Sequence, residues 1–407
     1  MAVSIGLAGK PNCGKSTFFK SATLANVEIA NYPFTTIDAN HGVAYVRTTC
    51  PCRELKLNCG ICRDGVRFVP IEMIDVAGLV PDAHKGRGLG NEFLDNLRQA
   101  KAIIHVIDAS GGTDIEGNPV PMGSHDPLGD IDFLEHEITM WIFGILKRNW
   151  ERLSRKVQAE GLKIEETIAG QLEGAGITDS HVKTVLTKLK LPRDKSHMWT
   201  DEQIVELSDM LRAESKPLII AANKIDVASQ ENIEKLVKVG AIPVSAAAEV
   251  VLRLADKGGA IKYIPGDSDF AESSSLSEAQ KEGLSKIRAL MKKNGGTGIQ
   301  KCIDETVFNL LDLIVVYPVE DENRFTDKQG RILPDAFLLK KGSTPKDLAF
   351  MVHTDIGKGF LYAVDARTKM RLGEKHELKN GDIVKIAAVK YSSPHAQQIR
   401  ASKAERP

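Results

Sequence analysis

Gly9-Lys10-Pro11-Asn12-Cys13-Gly14-Lys15-Ser16 has the form G-x-x-x-x-G-K-S. That spacing serves one chemistry, the cradling of a nucleoside polyphosphate. Glycines let successive backbone N–H groups curl around the β-phosphate, and a following helix turns its positive N-terminal end to the same charge. Lys15 is placed to reach the β- and γ-phosphates, and Ser16 to offer its hydroxyl to Mg²⁺. Gly9, Asn12, Cys13, Gly14 and Thr17 complete the expected phosphate-binding set, Cys13 as a small residue within it.

A second group is Asp75-Val76-Ala77-Gly78, D-x-x-G. Its carboxylate would reach Mg²⁺ through water and the Gly78 N–H would meet the γ-phosphate. D-x-x-G carries weight only because it follows a phosphate loop and ends a strand. A third group, Asn223-Lys224-Ile225-Asp226, is N-K-x-D. The Asp226 carboxylate can accept two hydrogen bonds, from guanine N1–H and the exocyclic amine. Adenine cannot donate these, and a buried carboxylate left unpaired is strongly disfavoured. Lys224 would lie along the base, with Ser245-Ala246 supplying a backbone N–H to guanine O6. These groups, in this order, read as a GTP-hydrolysing site with GTP or GDP as ligand and Mg²⁺ as cofactor. Leu79, directly after D-x-x-G, cannot orient water as a glutamine does. Unassisted turnover is therefore expected to be slow, about 10⁻⁴–10⁻³ s⁻¹ or somewhat faster.

Four of the six cysteines crowd together as Cys50, Cys52, Cys59 and Cys62, C-x-C-x6-C-x-x-C. In a reducing compartment such clustering favours metal over disulfide. Two readings stand side by side: a tetrahedral Zn²⁺ site pinning a loop without a core, or reduced surface thiols.

The elements that must hold these groups are those of an α/β P-loop domain. Val3–Leu7 reads as a strand and Thr17–Leu24 as a helix. His41–Val46, Val66–Val69, Ile71–Ile74, Ala102–Ala109, Pro217–Ala222 and Ala241–Val244 read as further strands. Gly86-Arg87-Gly88-Leu89-Gly90 reads as a phosphate-sensing loop before a helix over Asn91–Gln99. His105 and Asp108 read as core and strand-end residues. Between Ser124 and Ser215 the apolar spacing turns helical (Ile131, Leu134, Ile138, Trp141, Ile145, Leu153), with further helices over Ile164–Leu172, His181–Leu189 and Asp201–Arg212. This stretch reads as an inserted arm. Its Lys147, Arg148, Arg152, Arg155 and Lys156 form either a basic face or a solvated one. Residues 255–300 are Gly/Ser-rich and polar around one amphipathic helix. After a helix over Asp304–Leu311, residues 313–391 are strand-rich. Asp327–Arg331 is an expected turn, Thr344-Pro345-Lys346-Asp347 a helix start, and Phe360–Val364 and Ile383–Val389 expected strands, with a turn at Lys379–Asp382. The division expected is 1–123 and 216–305 for the nucleotide domain and its linker, 124–215 for the arm, 306–392 for a small β-rich unit, and 393–407 for a tail.

At 407 residues the chain calls for two or three domains. Lys+Arg and Asp+Glu are both 54, so no global charge points to DNA, RNA or a membrane. No apolar run approaches the ~18 residues that suggest a bilayer span, and no signal-peptide organisation precedes the phosphate loop. A cytoplasmic protein is expected.

G-K-P-N-x-G-K-S, the segment Tyr32-Pro33-Phe34-Thr35-Thr36, D-V-A-G-L and N-K-I-D together resemble the Obg superfamily of translation-factor GTPases. The helical insert and the terminal β-rich unit, which resembles a ubiquitin-like TGS domain, narrow the resemblance to the YchF-like branch, of archaeal type. The resemblance implies that Thr36, or alternatively Thr35, closes on Mg²⁺ and the γ-phosphate, and that Asn12 holds a K⁺ near the phosphates. It implies ribosomal particles and RNA as partners, and the leading reading is a nucleotide-dependent switch, expected as a monomer. Some YchF-like proteins end the base-reading motif in Glu and prefer ATP, whereas this chain keeps Asp226. The competing reading is an ATP-preferring or metabolic NTPase whose arm and terminal unit serve a small molecule. Intact Lys15, Ser16 and Asp75 argue against a vestigial site.

Overall fold

The computed structural model describes residues 3–24, 40–76, 78, 96–273 and 276–389. The chain divides into two compact units, one of residues 46–69 with 307–407 and the other of 2–45 with 70–306. A six-stranded sheet takes the order β2-β3-β1-β4-β5-β6, formed by β1 (Ser4–Ala8), β2 (His41–Thr49), β3 (Val66–Asp75), β4 (Ala102–Asp108), β5 (Leu218–Asn223) and β6 (Ile242–Pro243). From β3 through β6 the pairings are parallel. β1 and β4 are buried along their whole length, which is why they read as continuous apolar runs rather than alternating ones. The strand order reverses around β1, so the crevice at its carboxyl end is where such a sheet binds a ligand.

β3 runs through Pro70, joining the two strands expected separately. Its ladder with β1 begins only at Glu72, so on that side the missing proline N–H costs no bond. The last strand is shorter than expected, Ile242–Pro243. Of the helix expected over Asn91–Gln99 only 96–99 lie within the described residues, where they are helical. Gly86–Gly90 lie outside them.

The insert folds as helices Gly129–Lys147, Trp150–Glu160, Ile164–Leu172, Asp179–Leu189 and Asp201–Ser215. Thr178 and Thr200 open the last two with capping boxes, each worth roughly 1 kcal/mol. The first helix buries Leu134, Ile138, Ile142 and Leu146, so its core stripe follows strict i, i+4 spacing. Trp141 and Ile145, expected on that face, are only partly buried. Trp150 and Trp199 stack with ring centroids 5.4 Å apart. Of the basic residues, Lys147 pairs with Asp201, Arg155 with Glu151 and Lys156 with Glu160, exposed contacts worth under about 1 kcal/mol each.

Residues 255–300, opaque in sequence, form a hairpin of β7 (Ile261–Lys262) and β8 (Ala271–Glu272) and a helix over Glu278–Asn294. Leu252, Ile261, Tyr263, Phe270, Leu276, Leu284 and Met291 make a core of their own. Buried Glu249 accepts bonds there from Arg253, Tyr263 and Thr297. The helix expected over Asp304–Leu311 begins earlier, at Ile299, and from Glu305 to Leu310 is a π-turn.

In the smaller unit β9 (Leu313–Val319), β10 (Phe337–Lys340), β11 (Phe360–Asp365), β12 (Arg371–Leu372) and β13 (Ile383–Ala388) form a sheet of order β10-β9-β13-β11-β12. β9 and β13 run parallel and the other pairs antiparallel. Helix Pro345–Val352 starts at the expected Thr344 cap, whose side chain accepts from the Asp347 N–H, and buries Leu348 and Ala349. Asp327–Arg331 and Lys379–Asp382 are the expected turns. Among the described residues no helix is long and apolar enough to cross a membrane.

Candidate functional site

β1 ends at Ala8 and the next helix begins at Lys15, with Gly14 as its left-handed N-cap at φ 92°. A Cβ on Gly14 would lie 2.2 Å from Asn223 Nδ2, and one on Gly9 2.3 Å from the Val106 carbonyl oxygen. Both glycines are therefore required by close approach of neighbours, besides any ligand. Cys13 is fully buried and its thiol is pushed up to about 11 by burial, so it is a neutral packing group. Asn12 takes the left-handed conformation at φ 59° and donates to the Gly117 carbonyl at 3.0 Å.

Lys15 Nζ lies 2.7 Å from Asp75 Oδ1, and Ser16 Oγ donates to Asp75 Oδ2 at 3.2 Å. A hydroxyl and a carboxylate thus converge at the start of the phosphate loop helix, the oxygen donor set that Mg²⁺ takes. Gly78 sits against the loop from D-x-x-G: a Cβ there would be 3.4 Å from Pro11 N. Thr35, Thr36 and Leu79 lie outside the described residues.

Asn223 ends β5 and reaches the phosphate loop directly, its Nδ2 donating to the Cys13 carbonyl at 3.0 Å. Its Oδ1 accepts from the Ala246 N–H at 3.1 Å. Lys224, left-handed at φ 65°, donates to the Asn12 carbonyl at 2.7 Å and to Asp108 Oδ2 at 2.8 Å. Ser245 Oγ donates to Asp226 Oδ1 at 2.8 Å and also caps the helix Ala246–Lys257. The N-K-x-D and S-A segments and the phosphate loop, over two hundred positions apart in sequence, are thus hydrogen-bonded together.

Two residues of this site were given no site role from sequence, Asp108 being read as a strand end and Lys10 as an ordinary loop position. Asp108 ends β4 fully buried and accepts from Ser110 N–H and Oγ, Thr113 Oγ1 and Lys224. Burial would raise its carboxyl, but the bonds from Lys224 and Ser110 outweigh it and hold it below the ordinary range. Its position at the end of an apolar strand was the only signal. Lys10 is 3% exposed and bridges the phosphate loop to Asp130 at the start of the arm. It lies 2.8 Å from Asp130 Oδ2 and donates to the Thr113 carbonyl at 2.9 Å. His125 Nε2 lies 2.8 Å from the same carboxylate. His105 is core as expected, its imidazole held neutral, at about 3, by burial and by Lys10. In the smaller unit the Sγ atoms of Cys50, Cys52, Cys59 and Cys62 all lie within 4.8 Å of one another.

A sheet parallel from β3 through β6 with its phosphate loop at the switch point, a lysine and serine on an aspartate, and an N-K-x-D motif bonded to that loop are the arrangement of a P-loop GTPase domain. Three family models match: a 50S ribosome-binding GTPase over residues 4–126, the G4-motif domain of Obg-like YGR210-like GTPases over 221–321, and a TGS domain over 323–388. A GTP-binding protein of Methanocaldococcus jannaschii, MJ1332, is 50% identical over 94% of this chain and 98% of its own. The crystal structure of a GTP-binding protein from Pyrococcus horikoshii superposes with a TM-score of 0.77 at 42% identity, covering 95% of this chain and all of that one. The ribosome-binding ATPase YchF of Bacillus subtilis is 28% identical over 89% of this chain and 88% of its own. The chain belongs to the YchF-like branch of the Obg-like P-loop GTPases and ends in a TGS domain.

Proposed function

We propose that the chain binds and slowly hydrolyses GTP as a monomeric, cytoplasmic switch acting on ribosomal particles and RNA. Support comes above all from Asp226, whose carboxylate is oriented by Ser245 Oγ at 2.8 Å while Asn223 and Lys224 tie its motif to the phosphate loop. A carboxylate held that way meets the two donors of guanine and has none to meet in adenine. Ala246 N–H would serve guanine O6 while shared with Asn223 Oδ1.

In this reading Gly9, Cys13, Gly14 and Thr17 wrap the phosphates. Ser16 and Thr36 (Thr35 alternatively), with Asp75 through water, would hold Mg²⁺, which would supply charge neutralisation at the β- and γ-phosphates. Lys15 would exchange Asp75 for phosphate oxygens, the Gly78 N–H would meet the γ-phosphate, and Asn12 would take a K⁺ near them. Of the expected division, 1–123 and 216–305 serve as the nucleotide domain except that residues 46–69 cluster with the smaller unit, 124–215 are the arm, and 306–392 the TGS-like RNA-contacting unit. A relative named a ribosome-binding ATPase favours the second reading, ATP as the preferred nucleotide.

Calorimetry of GTP and ATP, in K⁺ and then Na⁺ buffer, separates them. Tight GTP with weak ATP supports Asp226 as reader; equal or better ATP binding overturns it. Co-sedimentation with ribosomal particles that does not differ between GTP- and GDP-loaded protein would sink the switch.

A further inference from the structure

We propose that Cys50, Cys52, Cys59 and Cys62 bind one Zn²⁺ as a closed four-thiolate site, fastening residues 50–65 within the smaller unit. Their four sulfurs lie within 4.8 Å of one another, with Cys50–Cys59 at 3.8 Å and Cys52–Cys62 at 3.5 Å. A tetrahedron with Zn–S bonds of about 2.3 Å has sulfur–sulfur edges of about 3.8 Å. A disulfide would need about 2.0 Å. The spacings are those of ligands around an ion.

Backbone donors are already aimed at these sulfurs. The Ile61 and Cys62 N–H groups bond Cys59, the Cys52 N–H bonds Cys50, and the Gly65 N–H bonds Cys62. Gly60 at φ 69° and Gly65 at φ 83° bend the chain into the turn that brings Cys59 and Cys62 round. The segment has little else to hold it, since no residue from Arg53 to Gly65 is buried. Zinc-bound segments characteristically lack a core of their own because binding free energy replaces it.

The surroundings suit a charged centre. Tyr317 Oη and Arg67 Nη1 are buried and find no hydrogen-bond partner among the described residues. Arg67 lies over the Tyr317 ring at 6.0 Å. Four thiolates around Zn²⁺ carry a net charge of −2, the thiol protons passing to solvent, and Arg67, on the strand that follows the segment, supplies a buried cation in the same unit. Glu54 and Arg67 join the segment to Arg367 and to the Pro334 carbonyl of the same unit. Zn²⁺, with no geometric preference from its d electrons, accepts the unequal C-x-C and C-x-x-C chelates.

The test is metal analysis of the full-length protein purified without chelator or added metal, with Co²⁺ exchange and with the double variant Cys59→Ser/Cys62→Ser. Expected are about one zinc per chain and a visible tetrathiolate Co²⁺ spectrum. In the variant zinc is lost by about tenfold or more and proteolysis of residues 313–388 is faster, while GTP binding is retained. Near-absence of metal with all four thiols reacting freely in the native protein overturns the proposal. So does iron in place of zinc, or zinc retained by the variant. If the variant does not fold, stoichiometry and the Co²⁺ spectrum of the unaltered protein decide alone.

Discussion

Lys10 Nζ lies 2.8 Å from Asp130 Oδ2, both side chains no more than 2% exposed. One residue belongs to the phosphate loop and the other to the first turn of the arm's leading helix. A buried ion pair is costly to form and costlier to break, about 3–5 kcal/mol when one partner is removed, because the survivor stays charged and buried. The pair therefore ties the arm's position to the conformation of the loop that takes the nucleotide.

Asp130→Asn should lower stability by about that amount. All three tryptophans, Trp141, Trp150 and Trp199, lie in the arm, so urea unfolding followed by tryptophan fluorescence reads the arm directly. Replacing both partners together, Lys10→Met with Asp130→Leu, should restore much of the loss. A single variant within about 0.5 kcal/mol of the parent, the range of ordinary surface changes, would show that the pair carries no load.

Lys15→Ala should weaken GTP binding about 100-fold or more, since charge-assisted bonds to phosphate are worth about 1.5–3 kcal/mol each. Fluorescent-nucleotide titration and phosphate release measure it. Near-normal turnover would remove Lys15 from the site.

Asp226→Asn and Asp108→Asn should differ in kind. The first should collapse the GTP-over-ATP preference by about 100-fold, as one of the two carboxylate acceptors becomes an NH2 donor facing a guanine donor. The second should loosen Lys224, weakening both nucleotides by about tenfold and leaving their ratio alone. Competition titrations compare the ratios; equal ratios for Asp226→Asn and the parent would place base reading elsewhere.

Lys216, 3% exposed, donates to the Arg98 and Ala100 carbonyls where the arm returns to the sheet. Burial lowers its ammonium to about 8. The unfolded chain then binds more protons between pH 8 and about 10.4, so Lys216 costs stability below pH 8 and the cost fades as pH rises through that window, by at most about 3 kcal/mol. Denaturation midpoints at pH 7.5 and 9.5 should rise more in the parent than in Lys216→Met. Equal slopes would contradict this assignment.

Local chemistry was legible in the sequence. The spacing from Gly9 to Ser16, the Thr344 cap and the helix Ile164–Leu172 each follow from forces acting within a few residues, and all appear where expected. The motifs also named residues that meet: Asn223 and Lys224 bond the phosphate loop, and Ser245 bonds Asp226. What depended on burial against distant chain was not legible. Asp108 reads as a strand end until Lys224 arrives from 116 positions away. The arm's helix buries Ile142 and Leu146 rather than Trp141 and Ile145, a choice made by the helices packed on it. Residues 255–300 show too few apolar residues in any one run to announce a core, which forms only when Leu252 and Met291 meet around Tyr263. Lys10, an ordinary loop lysine in sequence, is decided wholly by tertiary structure: its charge is tolerable in the interior only because the fold delivers Asp130 to it.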